Sequence, residues 1–177
     1  MNKKILHLNF FFMSAYVLLF IITQYLIVPI QNQFIQLGAL TGTMVFLPHG
    51  LRVWAVLTGG IYVLPGLALG HFLTAFYHTD YVPIFESFTR IGLTMVAIYI
   101  PYYLHKRKGI SLQNILIIAG VSSILNSILQ TLYLQFAVIN LNVAVLFTYL
   151  IGDILGALLL FYLIKYINYL IRIYQNS

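Results

Sequence analysis

The chain has 177 residues, of which 62% are hydrophobic and only 7% are charged, and its mean hydropathy is +0.96. A soluble domain needs far more charge to cover its surface, so the composition predicts a single integral membrane domain and excludes a soluble catalytic domain beside it. The net charge of +6 matches the positive-inside bias of membrane loops better than nucleic acid binding, and the lack of cysteine excludes disulfides and thiol chemistry.

Six apolar runs are each close to the roughly 20 residues that a helix needs to cross the hydrocarbon core. The first run follows Lys3 and Lys4 like a signal peptide, but it has the length of a full span and no small-x-small cleavage pattern. We therefore expect a retained first helix and an all-α, polytopic membrane bundle. The predicted spans are 9–30, 34–51, 53–77, 81–104, 113–138 and 143–166.

The stretch from Gly42 to His71 is apolar enough for a bilayer, yet it is rich in residues that break or loosen helices. These residues are Pro48, Gly50, Gly59, Gly60, Pro65, Gly66 and Gly70. A helix interrupted in lipid leaves backbone groups unsatisfied, and this is tolerated only where protein or a watery cavity covers them. We therefore expect this stretch to line the bundle interior, with a helix broken around Pro48, His49 and Gly50.

Six spans would place both termini on the same side of the membrane. The basic residues would then fall on that side and Asp80 on the other, which satisfies the positive-inside rule. We therefore expect a multi-pass protein of the cell (inner or plasma) membrane with both termini in the cytoplasm. A re-entrant second span would place the main basic loop outside, against the charge bias. Apart from Arg90, which is predicted near mid-membrane, the basic residues are Lys3, Lys4, Arg52, Lys106, Arg107, Lys108, Lys165 and Arg172.

Charged and amide side chains lie at membrane depth, where they are costly and usually paired or functional. Arg90 is about 13 Å along its helix from Tyr81 at roughly 1.5 Å per residue, and Glu86 precedes it by one helical turn. Asp153 lies at a similar depth in the last span. The polar set is Arg52, Glu86, Arg90, Asn126, Gln130 and Asp153.

Two interpretations of this polar set stay open. It could form a cavity that binds a small ligand or an ion, with Arg52 and Arg90 as anion contacts. It could instead be a structural network in which Arg90 and Asp153 neutralise each other and Asn126 bridges helices. In both interpretations the glycine pairs Gly66-x-x-x-Gly70 and Gly152-x-x-x-Gly156 let neighbouring helices approach closely.

No catalytic, metal or cofactor site is predicted. His49 and His71 are intramembrane histidines, but no second pair and no carboxylate spacing supports a metal or haem site. Ser122, Ser123 and Ser127 occur without a histidine motif, so we expect helix-packing hydroxyls and no enzyme activity.

The order of several motifs resembles a known family. Leu47-Pro48-His49-Gly50-Leu51 is followed by Gly59-Gly60, by Pro65-Gly66-Leu67-Ala68-Leu69-Gly70 and, near the end, by Gly152-Asp153-Ile154-Leu155-Gly156. This pattern, from about Gly38 to Leu163, resembles the bacterial membrane-associated sensor domain of the first type. That resemblance implies a multi-helix input module of the kind that precedes histidine-kinase or diguanylate-cyclase domains.

The chain departs from the family pattern, since Arg52 replaces a small or apolar position and a proline after the Gly-Asp segment is missing. We expect a shortened, stand-alone module without an output domain. It would bind a small ligand of unknown identity within the bundle and act through a separate cytoplasmic or membrane protein. The alternatives are a small transporter, or its substrate-binding subunit, and a structural or assembly subunit of a membrane complex.

Overall fold

The structure, a computed structural model, describes residues 3–34, 43–75, 84–106, 111–137 and 143–175. Within these ranges the protein is all-α, which confirms the predicted class. Five helical segments of the described chain are long and apolar enough to cross a membrane. They are Lys3–Gln33, Leu47–Ala75, Ile84–His105, Gln113–Tyr133 and Leu146–Arg172.

The first segment contains a local change of helix type next to a proline. Helix α1 (Lys3–Ile22) continues through a π-helical turn (Thr23–Ile27) into α2 (Val28–Phe34). Pro29 has no N–H, and its ring would clash with the carbonyl of Tyr25 in a regular helix. The π-turn accommodates this clash without ending the helix.

The second segment begins as α3 (Leu47–Gly59), which carries Pro48 in its first turn, where the missing N–H costs nothing. The predicted break around Pro48 and Gly50 therefore coincides with the start of a helix. Residues 35–42, most of the predicted second span, lie outside the described part of the chain. The predicted boundary at Leu51–Val53 is wrong, because α3 continues to Gly59.

A sharp change of direction follows α3. Gly60 has a φ of 59° and opens a 3₁₀ turn (Gly60–Val63), after which α4 (Leu64–Ala75) begins. Arg52 of α3 and His71 of α4 both contact Tyr16. A straight helix would hold residues 52 and 71 roughly 28 Å apart at 1.5 Å per residue. The segment Leu47–Ala75 is therefore a hairpin of two short helices.

Contacts with α1 show the direction of each arm. Trp54 packs on Phe12 and the Gly59 Cα lies beside Leu8, so α3 runs antiparallel to α1. Gly66 lies against Asn9 and Gly70 against Tyr16, so α4 runs parallel to α1. The arms have 13 and 12 residues, or roughly 20 and 18 Å, and each is shorter than the hydrocarbon core of about 30 Å.

The remaining helices are α5 (Ile84–His105), α6 (Leu112–Ala137) and α7 (Val143–Gln175). Their starts agree closely with the predicted spans, but α7 continues well beyond the predicted end at residue 166. The longest helix, α7, has 33 residues, which is roughly 50 Å. Its C-terminal end therefore extends beyond the length needed to cross a bilayer.

Helix α1 begins and helix α7 ends at the same end of the bundle. Asn9 donates to the carbonyl of Tyr62, and a Cβ on Gly60 would touch Tyr102 near the end of α5. Along α7, the carbonyl of Gly152 accepts from the Phe46 N–H, and Gly50 lies against Leu160, so α3 and α7 run parallel. The C-terminal half of α7 thus accompanies α3 towards the end where α1 begins.

Glycines make these close approaches possible. A Cβ on Gly156 would overlap the Phe46 carbonyl, and one on Gly152 would overlap the Thr43 carbonyl. Gly66 and Gly70 allow α4 to lie directly on the backbone of α1, where Asn9 Oδ1 also accepts the Gly66 N–H at 2.6 Å. Pro65, beside Gly66, occupies the first turn of α4. The glycine pairs therefore set the position of the hairpin against α1 and α7.

Candidate functional site

A cavity of about 230 Å³ lies between the helices. Five of the six predicted polar residues line it, and the sixth, Glu86, contacts one of them. Residues from α1, α3, α4, α5, α6 and α7 share in the lining. They are Tyr16, Phe20, Gln24, Thr43, Phe46, Arg52, His71, Thr74, Ala75, Ser87, Arg90, Thr94, Asn126, Gln130, Tyr149 and Asp153.

Asp153 is fully buried, and its partners come from two different helices. Its Oδ2 accepts a hydrogen bond of 2.7 Å from Asn126 of α6, and it lies 3.2 Å from His49 Nδ1 of α3. The His49 and Asp153 side chains are each 2% exposed. The Nδ1–Oδ2 contact lacks the alignment of a hydrogen bond, so we describe it as a close polar contact.

The other nitrogen of His49 faces two serines. Its Nε2 lies 3.1 Å from Ser122 Oγ and 3.3 Å from Ser123 Oγ. Both hydroxyls donate to the carbonyl of Ala119, so with hydrogens assigned from this network they accept from Nε2–H. Nδ1, on the other edge of the ring, faces the Asp153 carboxylate, so the His49 side chain lies between α6 and α7.

Arg90 is held by amide and phenol groups at the edge of the cavity. It donates to Gln130 Oε1 at 3.3 Å and to the Tyr149 hydroxyl at 3.1 Å, and it lies 3.8 Å from Glu86. Gln130 in turn donates to the Arg90 carbonyl and to Thr94, whose hydroxyl also contacts Asn126. A polar chain therefore connects Arg90 to Asp153 through side chains of α5 and α6.

The expected mutual neutralisation of Arg90 and Asp153 is wrong. No ion pair joins them within the described residues: Asp153 lies against His49, and Arg90 lies against Glu86. Asn126 does bridge helices, as the structural interpretation expects. Thus the two charges share one cavity and one hydrogen-bonded chain without direct contact.

Arg52 is the most deeply buried cation of the site, with 2% of its surface exposed. Its guanidinium donates to the Tyr16 hydroxyl and lies over the rings of Tyr16 and Phe46, at 5.2 and 5.4 Å from their centroids. No carboxylate of the described chain lies within salt-bridge distance of it, and its Nε has no acceptor. The imidazole ring of His71 stacks on the Tyr16 ring, with 5.7 Å between the two ring centroids.

The structure adds residues that the sequence reasoning did not select. Tyr16, Thr94 and Tyr149 are partners of the two arginines, and Ser122 and Ser123 are partners of His49. Thr94 lies one helical turn after Arg90, a spacing that could have indicated it. Tyr16 and Tyr149 carry no such signal, since aromatic residues are frequent throughout this sequence.

The site offers hydrogen-bond donors and positive charge, with aromatic walls. Among the described residues, no three His, Asp or Glu side chains are grouped closely enough to hold a metal ion. Comparison of the chain with protein-family models, with curated proteins and with solved structures finds no match.

Proposed function

We propose that this protein is a membrane-embedded binding module that takes a small ligand into the cavity between its helices. One observation supports this most directly: the cavity contains a buried arginine, Arg52, for which the described chain provides no acidic partner. A purely architectural interior would neutralise such a charge, because an uncompensated buried cation costs several kcal/mol. The cavity also makes a purely structural or assembly subunit the weaker candidate.

A sensor-like role within this proposal rests on the motif resemblance and on the shape of α7. The C-terminal third of α7 presents large side chains, with Tyr166 53% and Tyr169 59% exposed. Occupation of the cavity would act on α7 through Asp153 and through the close contact between Gly156 and Phe46. A separate protein partner would then receive the change at the C-terminal end of α7.

We also propose six crossings with both termini in the cytoplasm of the cell membrane. The hairpin of α3 and α4 supports six, because α3 runs towards the end where α1 begins and α4 runs back from it, so the two arms would belong to two separate crossings. The shared end of α1 and the C-terminal half of α7 supports an even number of crossings. The five long helical segments would count as five crossings only if Leu47–Ala75 were straight.

Blocking the cavity tests the binding proposal. We expect native mass spectrometry in mild detergent to detect a small molecule bound to the wild-type protein. Ser87→Phe, which fills the cavity from a side chain that is 4% exposed, should remove it. Ser14→Phe makes the same substitution on the exposed face of α1 and should leave it bound. Equal occupancy in the two variants would contradict the proposal.

A small transporter is the second candidate, and the hairpin favours it. Short helices that end at membrane depth beside a polar cavity are typical of transporter substrate sites. A transporter predicts that proteoliposomes take up the molecule identified by mass spectrometry and lose uptake with Arg90→Ala or Asp153→Asn. A binding module predicts occupancy without net uptake.

A further inference from the structure

We infer that the ligand of this cavity is a small organic monoanion, with its carboxylate on Arg52 and its apolar body against Phe20 and Phe46. This inference rests on the proposed binding function and names the chemical class of the ligand. It depends on which charged groups of the cavity have a partner, on buried nitrogens without one and on the character of the walls.

Among the arginines and acids near the cavity in the described chain, Arg52 lacks a charged group in contact with it. Arg90 has Glu86 at 3.8 Å, and Asp153 has His49 at 3.2 Å and the amide of Asn126 at 2.7 Å. No carboxylate of the described residues lies within salt-bridge distance of Arg52. A single negative charge on the ligand would supply the contact that Arg52 lacks.

Two buried nitrogens without a hydrogen-bond partner, one on α3 and one on α4, belong to residues that contact the same tyrosine. They are Arg52 Nε and His71 Nδ1. Both residues line the cavity and contact Tyr16. A guanidinium with a free edge matches the two oxygens of a carboxylate, and such charge-assisted hydrogen bonds are the strong ones. The two arms of the hairpin would thus close on the anionic group.

The walls and the volume restrict the rest of the ligand. Phe20, Phe46 and Ala75 contribute apolar surface beside the arginine. The cavity of about 230 Å³ is smaller than the roughly 300–1,000 Å³ of pockets for drug-sized molecules. A compact carboxylate with one ring or a short chain fits this space, and a lipid with its headgroup and chains does not.

Thermal unfolding with three matched probes tests this inference. Trp54, the only tryptophan of the chain, lies two residues from Arg52 on α3 and reports unfolding by its fluorescence. Benzoate, benzamide and benzylamine present the same ring with a negative, a neutral and a positive group. At about 10 mM we expect benzoate to raise the Tm by about 2 °C or more, and the other two to raise it by less than half as much.

Variants assign the effect to Arg52. Arg52→Gln should weaken benzoate binding at least tenfold, while Arg172→Gln on the exposed end of α7 should leave it unchanged. Should Arg52→Gln fail to fold, Arg52→Lys keeps the charge, loses the planar donor edge and should still show a reduced benzoate response.

The outcomes separate this inference from the proposed function. Stabilisation by benzamide or benzylamine equal to that by benzoate would overturn the monoanion and leave the binding module intact. A benzoate response that survives in Arg52→Gln would place the anion elsewhere and overturn the inference. If none of the three probes stabilises the protein, the monoanion assignment fails, and the Ser87→Phe occupancy experiment decides the binding function independently.

Discussion

His49 contacts more helices in the interior of the bundle than its residue type and position in the sequence indicate. It carries contacts to α6 on one ring nitrogen and to α7 on the other, so a single side chain on the hairpin connects three helices. The contact with Asp153 also explains why that acid is tolerated at membrane depth. Arg90, the partner expected from the sequence, instead uses neighbouring phenol and amide groups.

A double-mutant cycle measures this pairing. Because removing one partner leaves the other buried and unpaired, His49→Gln and Asp153→Asn should each lower the free energy of unfolding by about 2 kcal/mol. The double variant should lose about 1–2 kcal/mol less than the sum. Unfolding in mixed detergent, followed by Trp54 fluorescence, provides the measurement.

The matched control pairs Arg90→Gln with Asp153→Asn. These side chains make no direct contact, so their coupling should be smaller than that of His49 with Asp153. A larger coupling in the Arg90 cycle would show that the direct pair is Arg90–Asp153 after all.

At the level of elements, the α3–α4 hairpin is the feature that creates the cavity. It brings Arg52 and His71 to the same tyrosine, although they are 19 positions apart. The reversal occurs at Gly60, whose φ of 59° and ψ of −142° are rare for residues with a Cβ. A Cβ there would also come within 2.8 Å of the Tyr102 hydroxyl.

Gly60→Ala should therefore destabilise the protein by about 1–3 kcal/mol, because alanine is strained in this backbone conformation. Gly92→Ala is the control, since a Cβ there meets no atom within 4 Å and alanine favours the helix by up to about 1 kcal/mol. Thermal unfolding of both variants gives the comparison. Equal stability of Gly60→Ala and wild type would argue that the hairpin does not depend on this glycine.

At the level of the whole molecule, the proposed six crossings depend on how the two arms of the α3–α4 hairpin are counted. If the arms belong to two separate crossings, Lys3 and Gln175 lie on the same side of the membrane. A bundle with five straight crossings would place Lys3 and Gln175 on opposite sides.

Single-cysteine labelling tests this topology, and the chain is suited to it because it contains no natural cysteine. Lys3→Cys, Asn32→Cys and Gln175→Cys each place a thiol at an exposed position. We expect an impermeant maleimide to label only Asn32→Cys in intact cells and all three after permeabilisation. Labelling of Gln175→Cys in intact cells without labelling of Lys3→Cys would support five crossings.

The sequence by itself determined the class of this protein and most of its polar interior. Long apolar runs and scarce charges require membrane helices, and this requirement is local, so the starts of α5, α6 and α7 could be predicted within a few residues. Arg52, Arg90, Asn126, Gln130 and Asp153 could be selected because polar groups at membrane depth must face protein or a cavity.

Only the tertiary structure decided which of these groups meet. Hydropathy contains no information on whether a segment with several glycines continues or reverses, so the turn at Gly60 was assigned to the wrong place, near Leu51. With that turn misplaced, the pairing of His49 with Asp153 and of Arg52 with Tyr16 could not be predicted. These contacts join residues 104 and 36 positions apart, and the packing of the hairpin against α1 and α7 is the physical reason they form.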